Sequence, residues 1–242
     1  MRRIIALCAA FWLLAPALGA QEQADLWRGV GRLDLRGQGF CTGALITPRL
    51  VLTAAHCLFD RSSQSPIPVA QIEFVTGWKG GQAQTIRRVT RAVVHRRFVF
   101  ADPPPPRTMR FDLALLELRR PVLGTAVAVY ETGPPPPAGR PLTVAAFQSG
   151  VRHGPLMRQI CTAIGQQEGV LISNCAVDFG ASGAPVFDVK DGRARIVSVV
   201  SAKAQMAGVP VTMGSALGAA LAELRQAFAQ SRAGSGAKFV RP

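Results

Sequence analysis

Short runs of alternating or fully apolar residues, separated by glycine and proline, make up most of the chain from Trp27 onward. The 242 residues include 24 glycines and 18 prolines, and no long helical period of apolar residues occurs before Ser215. Many short strands with frequent turn signals are typical of an all-β sandwich or barrel. The runs expected to form strands include 43–46, 50–53, 71–75, 91–94, 113–118, 142–147, 170–172, 185–187 and 195–200.

Two proline runs punctuate this pattern. Proline favours an extended chain and is excluded from central strands, so neither run is expected inside the sheets. Pro134–Pro137 lies near the middle of the chain and predicts a crossover between two halves, residues 27–125 and 140–214. Pro103–Pro106 predicts a loop just ahead of Asp112.

The end of the chain has a different periodicity. Leu217, Leu221, Leu224 and Phe228 fall on one helical face, which predicts an amphipathic helix over residues 215–230. We expect this helix to pack on the protein's own core and residues 231–242 to be frayed.

The first twenty residues have the three-part pattern of a secretory signal peptide. Arg2 and Arg3 precede an apolar run from Ile4 to Leu14, and small residues follow up to Ala20. The apolar run is too short and too quickly broken to span a bilayer. A buried N-terminal helix is the other alternative, and the flanking residues disfavour it. We therefore expect residues 1–20 to be removed and the protein to be secreted or periplasmic.

Four cysteines remain after this leader: Cys41, Cys57, Cys161 and Cys175. An even count in an exported chain predicts two disulfides, and four cysteines allow three pairings. Their spacing favours Cys41–Cys57 and Cys161–Cys175. A zinc site is the alternative, but neither pair shows the close spacing of metal ligands, so no metal is expected.

The formal net charge is +14, and most of the basic residues are arginines scattered along the chain. Such a surface attracts anionic partners, including the polymers and lipids of a cell envelope. No zinc finger, basic helix array or aromatic-interleaved nucleic-acid motif accompanies this charge, so a specific nucleic-acid partner is not expected. A simple solubilising surface is favoured over an envelope contact, which is the alternative.

Three segments contain the residues of a catalytic triad. Thr53-Ala-Ala-His56-Cys57 ends an apolar strand, Asp112-Leu-Ala-Leu-Leu116 begins one, and Gly180-Ala-Ser182-Gly-Ala-Pro185 places a serine on a turn of small residues. A serine needs an adjacent base to become nucleophilic, and the base needs an orienting acid. The backbone N–H groups of Gly180 and Ser182 are suited to an oxyanion hole.

These motifs, in the order His, Asp, Ser, resemble those of the trypsin-like serine peptidases of the chymotrypsin fold. The resemblance covers the chain from about Trp27 to the C-terminal helix. It implies two six-stranded antiparallel β-barrels with the triad between them. It also implies that His56 is the general base, Asp112 its orienting partner and Ser182 the acyl-forming nucleophile.

Other residues compete for these roles. Asp102 is an alternative to Asp112, but four prolines follow it and no apolar strand holds it. His95 and His153 lie in basic contexts and are expected at the surface. Ser182 is expected to be the nucleophile rather than an ordinary turn serine, because small residues surround it.

The serine turn also departs from the animal digestive members of the family. Those members have an aspartate before the serine, which pairs with a freed N-terminal amine, whereas this chain has Ala181. The bacterial glutamyl endopeptidases also lack that aspartate, and their Ser-Gly-Ser-Pro is similar to Ser182-Gly-Ala-Pro185. We therefore expect a chain that folds active or needs only leader trimming.

The substrate pocket is harder to predict. In trypsin, an acidic residue six positions before the serine attracts Arg or Lys, and that position is Ala176 here. Val177 and Asp178 follow it. The opposite wall is expected within 196–203, where Ser198 and Ser201 give two possible registers and Lys203 could attract an acidic substrate residue.

The function expected from these residues is an exported serine endopeptidase that acts on protein or peptide substrates through an acyl-enzyme. It is expected to be a monomer and to need no cofactor. The main alternative is a catalytically silent family member that binds the cell envelope through its basic surface. An esterase is a weaker alternative, since Ser182 is followed by a strand and not by the helix of an α/β-hydrolase turn.

Overall fold

The structure is a computed structural model that describes residues 26–77, 82–101, 105–124, 127–148, 156–231 and 238–240. The expected signal peptide, residues 1–20, lies outside these ranges. No helix in the described ranges is long and apolar enough to cross a membrane.

Six strands between Val30 and Leu118 close into the first barrel. Their order is β5-β4-β1-β2-β3-β6, and β6 pairs back onto β5 to complete the barrel. All of these pairings are antiparallel. The strands are β1 (Val30–Leu35), β2 (Phe40–Thr47), β3 (Leu50–Thr53), β4 (Ile72–Thr76), β5 (Thr85–Val94) and β6 (Ala114–Leu118).

A two-residue strand, β7 (Glu131–Thr132), precedes the second barrel and pairs in parallel with its edge. The second barrel has the order β11-β8-β9-β10-β13-β12 and is closed by antiparallel pairing of β11 with β12. Its strands are β8 (Pro141–Ala146), β9 (Met157–Gln167), β10 (Val170–Ser173), β11 (Pro185–Lys190), β12 (Arg193–Met206) and β13 (Val209–Ala216). The expected pair of six-stranded barrels is thus confirmed.

The barrel interiors hold the core because strand residues alternate between the two faces of a sheet. The fully buried side chains of the first barrel include Leu33, Leu45, Phe74 and Leu116. The second barrel encloses a smaller cluster of aliphatic and small residues, which includes Leu142, Val186, Val197 and Ala181. Residues that carry chemistry therefore lie at strand ends and in the loops between the barrels.

The C-terminal part contains the predicted helix, with a later start. Of the two α-helices in the described ranges, α1 (Pro106–Met109) has only four residues and precedes Asp112. Helix α2 spans Ala219–Gln230; it begins after residue 215 because Ser215 and Ala216 complete β13. Leu221 and Leu224 are buried, and α2 packs against β5 and β6 of the first barrel.

The expected frayed tail contains a further strand. Strand β14 (Lys238–Val240) pairs in parallel with β5, so this part of the tail is ordered against the first barrel. Phe239 helps to hold this strand in place, because its ring packs edge-on against the Phe59 ring, with 5.6 Å between the ring centroids. The expectation of a wholly frayed C-terminus was wrong for these three residues.

Candidate active site

His56 lies on a short 3₁₀ turn, Ala55–Leu58, that begins just after β3. Small buried residues surround it: Ala54 and Ala55 are fully buried, and Cys57 is 3% exposed. A disulfide joins Cys57 to Cys41 on β2, and a second disulfide joins Cys161 to Cys175. The turn that carries the histidine is thus attached to the first barrel on both sides.

Asp112 is fully buried and holds His56 at two points. The backbone N–H of His56 donates to Asp112 Oδ1 at 2.8 Å, and His56 Nδ1 lies 2.6 Å from Asp112 Oδ2. The pairing of β3 with β6, which sets Thr53 opposite Ala114, brings the two segments to the same end of the barrel.

The electrostatics of this pair determine where the proton lies. Burial by itself raises the pKa of Asp112. The charge of a protonated His56 and the hydrogen bonds from His56 and Ser201 lower this pKa by more than burial raises it. The net pKa is therefore below the ordinary value of 3.8. An ionised carboxylate can only accept hydrogen bonds, so His56 Nδ1 must carry a proton. In the neutral ring, Nε2 is then the basic nitrogen.

Ser201 is a third member of this hydrogen-bonded group. Its hydroxyl donates to Asp112 Oδ2 at 2.5 Å, although the two residues are 89 positions apart in the chain. The pairing of β12 with β13 shifts register between Val200 and Ala202, so Ser201 occupies a β-bulge. Bulges of this kind commonly redirect a side chain near an active site. Nothing in the local sequence indicates such a bulge.

Ser182 lies on the tight turn that precedes β11. The turn needs glycine at two positions, because Gly180 and Gly183 have φ angles of +94° and +77°. A Cβ at Gly183 would lie 2.2 Å from Thr53 Oγ1, and a Cβ at Gly180 would lie 2.4 Å from the Phe40 ring. The glycines thus allow the serine turn of the second barrel to approach the first barrel closely.

His56 and Ser182 line the same cleft between the barrels, which has a volume of about 220 Å³. Among the described residues, Ser182 Oγ has no hydrogen bond to His56, and His56 Nε2 lies 3.9 Å from Cys57 Sγ. Catalytic hydrogen bonds are often long in unliganded enzymes and shorten when substrate binds. The cleft therefore exposes the candidate base, His56, and the candidate nucleophile, Ser182, while Asp112 lies buried behind the histidine.

The backbone of the serine turn presents two unused donors. Within the described part of the chain, the N–H groups of Gly180 and Ser182 make no hydrogen bond, whereas the N–H groups of Ala181, Gly183 and Ala184 are all bonded. Two free N–H groups in one turn, one of them on the candidate nucleophile itself, are suited to an oxyanion site.

Two of the four residues predicted for the substrate pocket lie on the walls of the cleft. Val177 and Ser201 both line the cleft. Ala176 is exposed and lies outside this lining. Ser198 is also outside it: the side chain is fully buried and donates to Ser215 O at 2.9 Å, so the expectation that it lines the pocket was wrong.

An ion pair spans the two walls. Lys203 Nζ lies 3.0 Å from Asp178 Oδ1 and 4.7 Å from the centre of the Phe179 ring. The hydrogen bond from Lys203 is the largest contribution to a lowered pKa of Asp178, followed by the bond from the Phe179 N–H. Lys203 therefore has a protein carboxylate beside it before any substrate arrives.

His95 was expected at the surface, but it is buried. Its side chain is 1% exposed, stacks on Phe111 at 4.8 Å and has Nε2 3.4 Å from Glu223 Oε2. Burial is the main cause of its lowered pKa; Glu223 opposes the shift, and Arg97 and Arg96 add to it. His95 packs between the first barrel and α2, away from the cleft. Asp102 and His153 lie outside the described residues.

Cys41, His56 and Cys57 bring potential metal ligands within 4.8 Å of one another. The two sulfur atoms are bonded to each other, and thiolates are what zinc requires of cysteine. This cluster is therefore the support of the histidine and not a metal site.

Comparison with known proteins gives the family. The trypsin family model matches residues 18–211, which is most of the chain. Human and mouse serine protease 56 are each 33% identical over 141 residues, 57% of this chain but only 22% of their own length. Human kallikrein-10 is 36% identical over 89 residues, 34% of this chain and 28% of its own. The chain thus spans about a fifth of the first curated relatives it matches.

Two solved structures share the fold. A Glu endopeptidase superposes with a TM-score of 0.66 at 18% identity, covering 84% of this chain and 92% of that one. A mutant of human heparin binding protein gives 0.64 at 19% identity, covering 88% and 96%. With the family match over most of the sequence and the same two-barrel fold, the chain belongs to the trypsin family, the trypsin-like serine peptidases of the chymotrypsin fold.

Proposed function

We propose that the protein is an exported serine endopeptidase that hydrolyses peptide bonds through His56, Asp112 and Ser182. The observation that carries this proposal is the double attachment of His56 to a buried, ionised Asp112 in a cleft that also contains Ser182. A histidine fixed in this way has one nitrogen directed at the carboxylate and the other available as a base.

The first half of the reaction forms an acyl-enzyme. Ser182 Oγ attacks the carbonyl carbon of the peptide bond while His56 Nε2 takes the hydroxyl proton. Asp112 stabilises the imidazolium, and the N–H groups of Gly180 and Ser182 bind the negative oxygen of the tetrahedral intermediate. Collapse of the intermediate breaks the C–N bond, and His56 returns the proton to the leaving amine.

The second half reverses these roles with water. His56 removes a proton from a water molecule that attacks the acyl carbon, and the ester bond to Ser182 then breaks. The serine recovers its proton from His56, and the peptide acid leaves. Side chains and backbone supply every group in this scheme, so it requires no cofactor.

We also propose that the protein acts outside the cytoplasm, secreted or in the periplasm. Its two disulfides support this, because such bonds persist in oxidising compartments. The leader pattern of residues 1–20 supports the same compartment.

The direct test is labelling of the purified mature protein with a fluorophosphonate probe, which reacts with activated serines. We expect wild type and Ser65→Ala, a change in an exposed serine outside the cleft, to label equally. We expect Ser182→Ala and His56→Ala to lose labelling, and cleavage of a peptide library to follow the same order. Folded wild type that neither labels nor cleaves would overturn the proposal.

A second candidate function is binding of an anionic polymer without catalysis. Arg49, Arg87, Arg119 and Arg120 gather at one end of the first barrel: Arg49 donates to the carbonyls of residues 118 and 119, and Arg87 to that of Pro121. Among the described residues, none of the four has a carboxylate partner. One structural neighbour is a heparin binding protein. Unlabelled but folded wild type that binds sulfated polysaccharide would favour this candidate.

A further inference from the structure

The serine turn must hold two N–H groups toward the cleft without the ion pair used by the digestive enzymes. Ala181 has no charged group, and its side chain is 1% exposed within the core of the second barrel. Some other contact has to fix the orientation of the peptide groups around Ser182.

Thr42 on β2 of the first barrel contacts this turn at two points. Its backbone N–H donates to Ser182 O at 2.8 Å, and its hydroxyl donates to Gly180 O at 2.9 Å. The same oxygen, Thr42 Oγ1, accepts a hydrogen bond from the Phe147 N–H at 3.0 Å. The Thr42 side chain is fully buried, so its hydroxyl makes these bonds without access to solvent.

These bonds help to fix two peptide planes of the turn. The plane between residues 180 and 181 is held by Thr42 at the carbonyl and by Asp178 O at the Ala181 N–H. The plane between residues 182 and 183 is held by Thr42 at the carbonyl and by Val200 O at the Gly183 N–H.

The plane between these two carries the Ser182 N–H. Its carbonyl, Ala181 O, accepts from the Ala184 N–H at 2.9 Å. Because a trans peptide is planar, the N–H on its other side must point the opposite way. The Ser182 N–H is thereby directed away from the turn and remains unbonded.

We infer that Thr42 is a positioning residue that holds the oxyanion turn in its active conformation, in place of an ion pair at position 181. This inference rests on the proposed peptidase function. Because the contact comes from a strand of the folded first barrel, the turn is ordered as soon as the two barrels associate. Activity then needs no amine freed by cleavage of the N-terminus.

The test compares Thr42→Val, which removes only the hydroxyl and keeps the shape, with Thr42→Ser, which keeps the hydroxyl. We expect Thr42→Val to lower kcat by about 10- to 100-fold, less than the loss of a whole oxyanion donor, with KM changed by less than about threefold. Thr42→Ser should recover kcat to within about threefold of wild type. The rate of fluorophosphonate labelling should fall in parallel with kcat.

Thr76→Val is the matched control. Thr76 is equally buried, and its hydroxyl also bonds backbone carbonyls, those of Arg28 and Val30, but it lies away from the cleft. We expect this variant to be destabilised and to keep kcat. An unchanged kcat in Thr42→Val, or an equal fall in Thr76→Val, would overturn the inference.

Hydrogen exchange of the segment 178–184 gives a readout that needs no turnover. We expect this segment to exchange at least about tenfold faster in Thr42→Val than in wild type, and not in Thr76→Val. Equal exchange in all three proteins would overturn the role of Thr42. If the wild type is never labelled by the fluorophosphonate probe, the peptidase proposal is overturned. The hydrogen-exchange measurement would then still test whether Thr42 orders the turn.

Discussion

His56 and Asp112 are joined by two hydrogen bonds, one from the imidazole at 2.6 Å and one from the backbone N–H at 2.8 Å. The carboxylate therefore fixes both the ring and the chain that carries it. Ser201 adds a third donor to the same buried group. The orientation of the proposed base depends on this one carboxylate.

Asp112→Asn should keep the fold but lower kcat by about four orders of magnitude, because an amide can stabilise neither the required tautomer nor the imidazolium. The measurement is kcat and KM on a cleaved peptide, with circular dichroism to establish that the variant is folded. A loss of less than tenfold would contradict the role proposed for Asp112.

The same carboxylate should make stability depend on acid. The folded-state pKa of Asp112 lies below its ordinary value of 3.8, so its contribution is complete above the unfolded-state pKa. That contribution is lost as the pH falls through the lower folded-state pKa. In urea unfolding from pH 6 to pH 2, wild type should lose more stability than Asp112→Asn. Asp191→Asn, at an exposed position, should follow wild type; identical slopes in all three proteins would contradict the prediction.

The two disulfides offer a matched comparison. They close loops with sequence separations of 16 and 14, so removing either should cost about 3 kcal/mol in the chain-entropy model. The effects on activity should differ. Replacing Cys41 and Cys57 with serine should mainly lower kcat, because Cys57 supports His56; replacing Cys161 and Cys175 should mainly raise KM, because Cys175 precedes the pocket wall. Thermal unfolding and steady-state kinetics test both, and the same kinetic change in both variants would contradict this division.

Charge preference at the cleft should follow the Asp178–Lys203 pair. Lys203→Ala leaves Asp178 without this cation and should favour substrates with a basic residue before the cut bond; Asp178→Ala should favour an acidic one. The double variant should return to the wild-type profile. Since the two side chains are 61% and 49% exposed, we expect shifts of roughly three- to tenfold that shrink with salt. Profiles of a peptide library at low and high salt measure this, and unchanged profiles in both single variants would contradict it.

Sequence reasoning pointed to much of the candidate site because its signals are local. The strand before His56 and the small residues around Ser182 lie within a few positions of the residues they support. Short, mostly apolar runs likewise indicated β2, β3 and β6. Strand β9 was not among the runs expected to form strands, since its residues are mostly polar and exposed.

Other features depended on contacts between distant segments. His95 lies among basic residues, which suggested a surface position, yet α2 covers it from more than a hundred residues later and supplies Glu223. The choice between Ser198 and Ser201 depended on a bulge in β12, and a shift of one residue in a strand moves a side chain to the other face.

The sequence by itself determined the all-β class, the cysteine spacing that favoured two local pairs, and the three segments that could supply base, acid and nucleophile. Tertiary structure decided how those segments meet. Thr42 and Ser182 are 140 positions apart, and their contact exists only because β2 of one barrel lies against the serine turn of the other. Periodicity reports which face of a strand is buried, whereas the partner of a buried hydrogen-bonding group is chosen by barrel closure and packing.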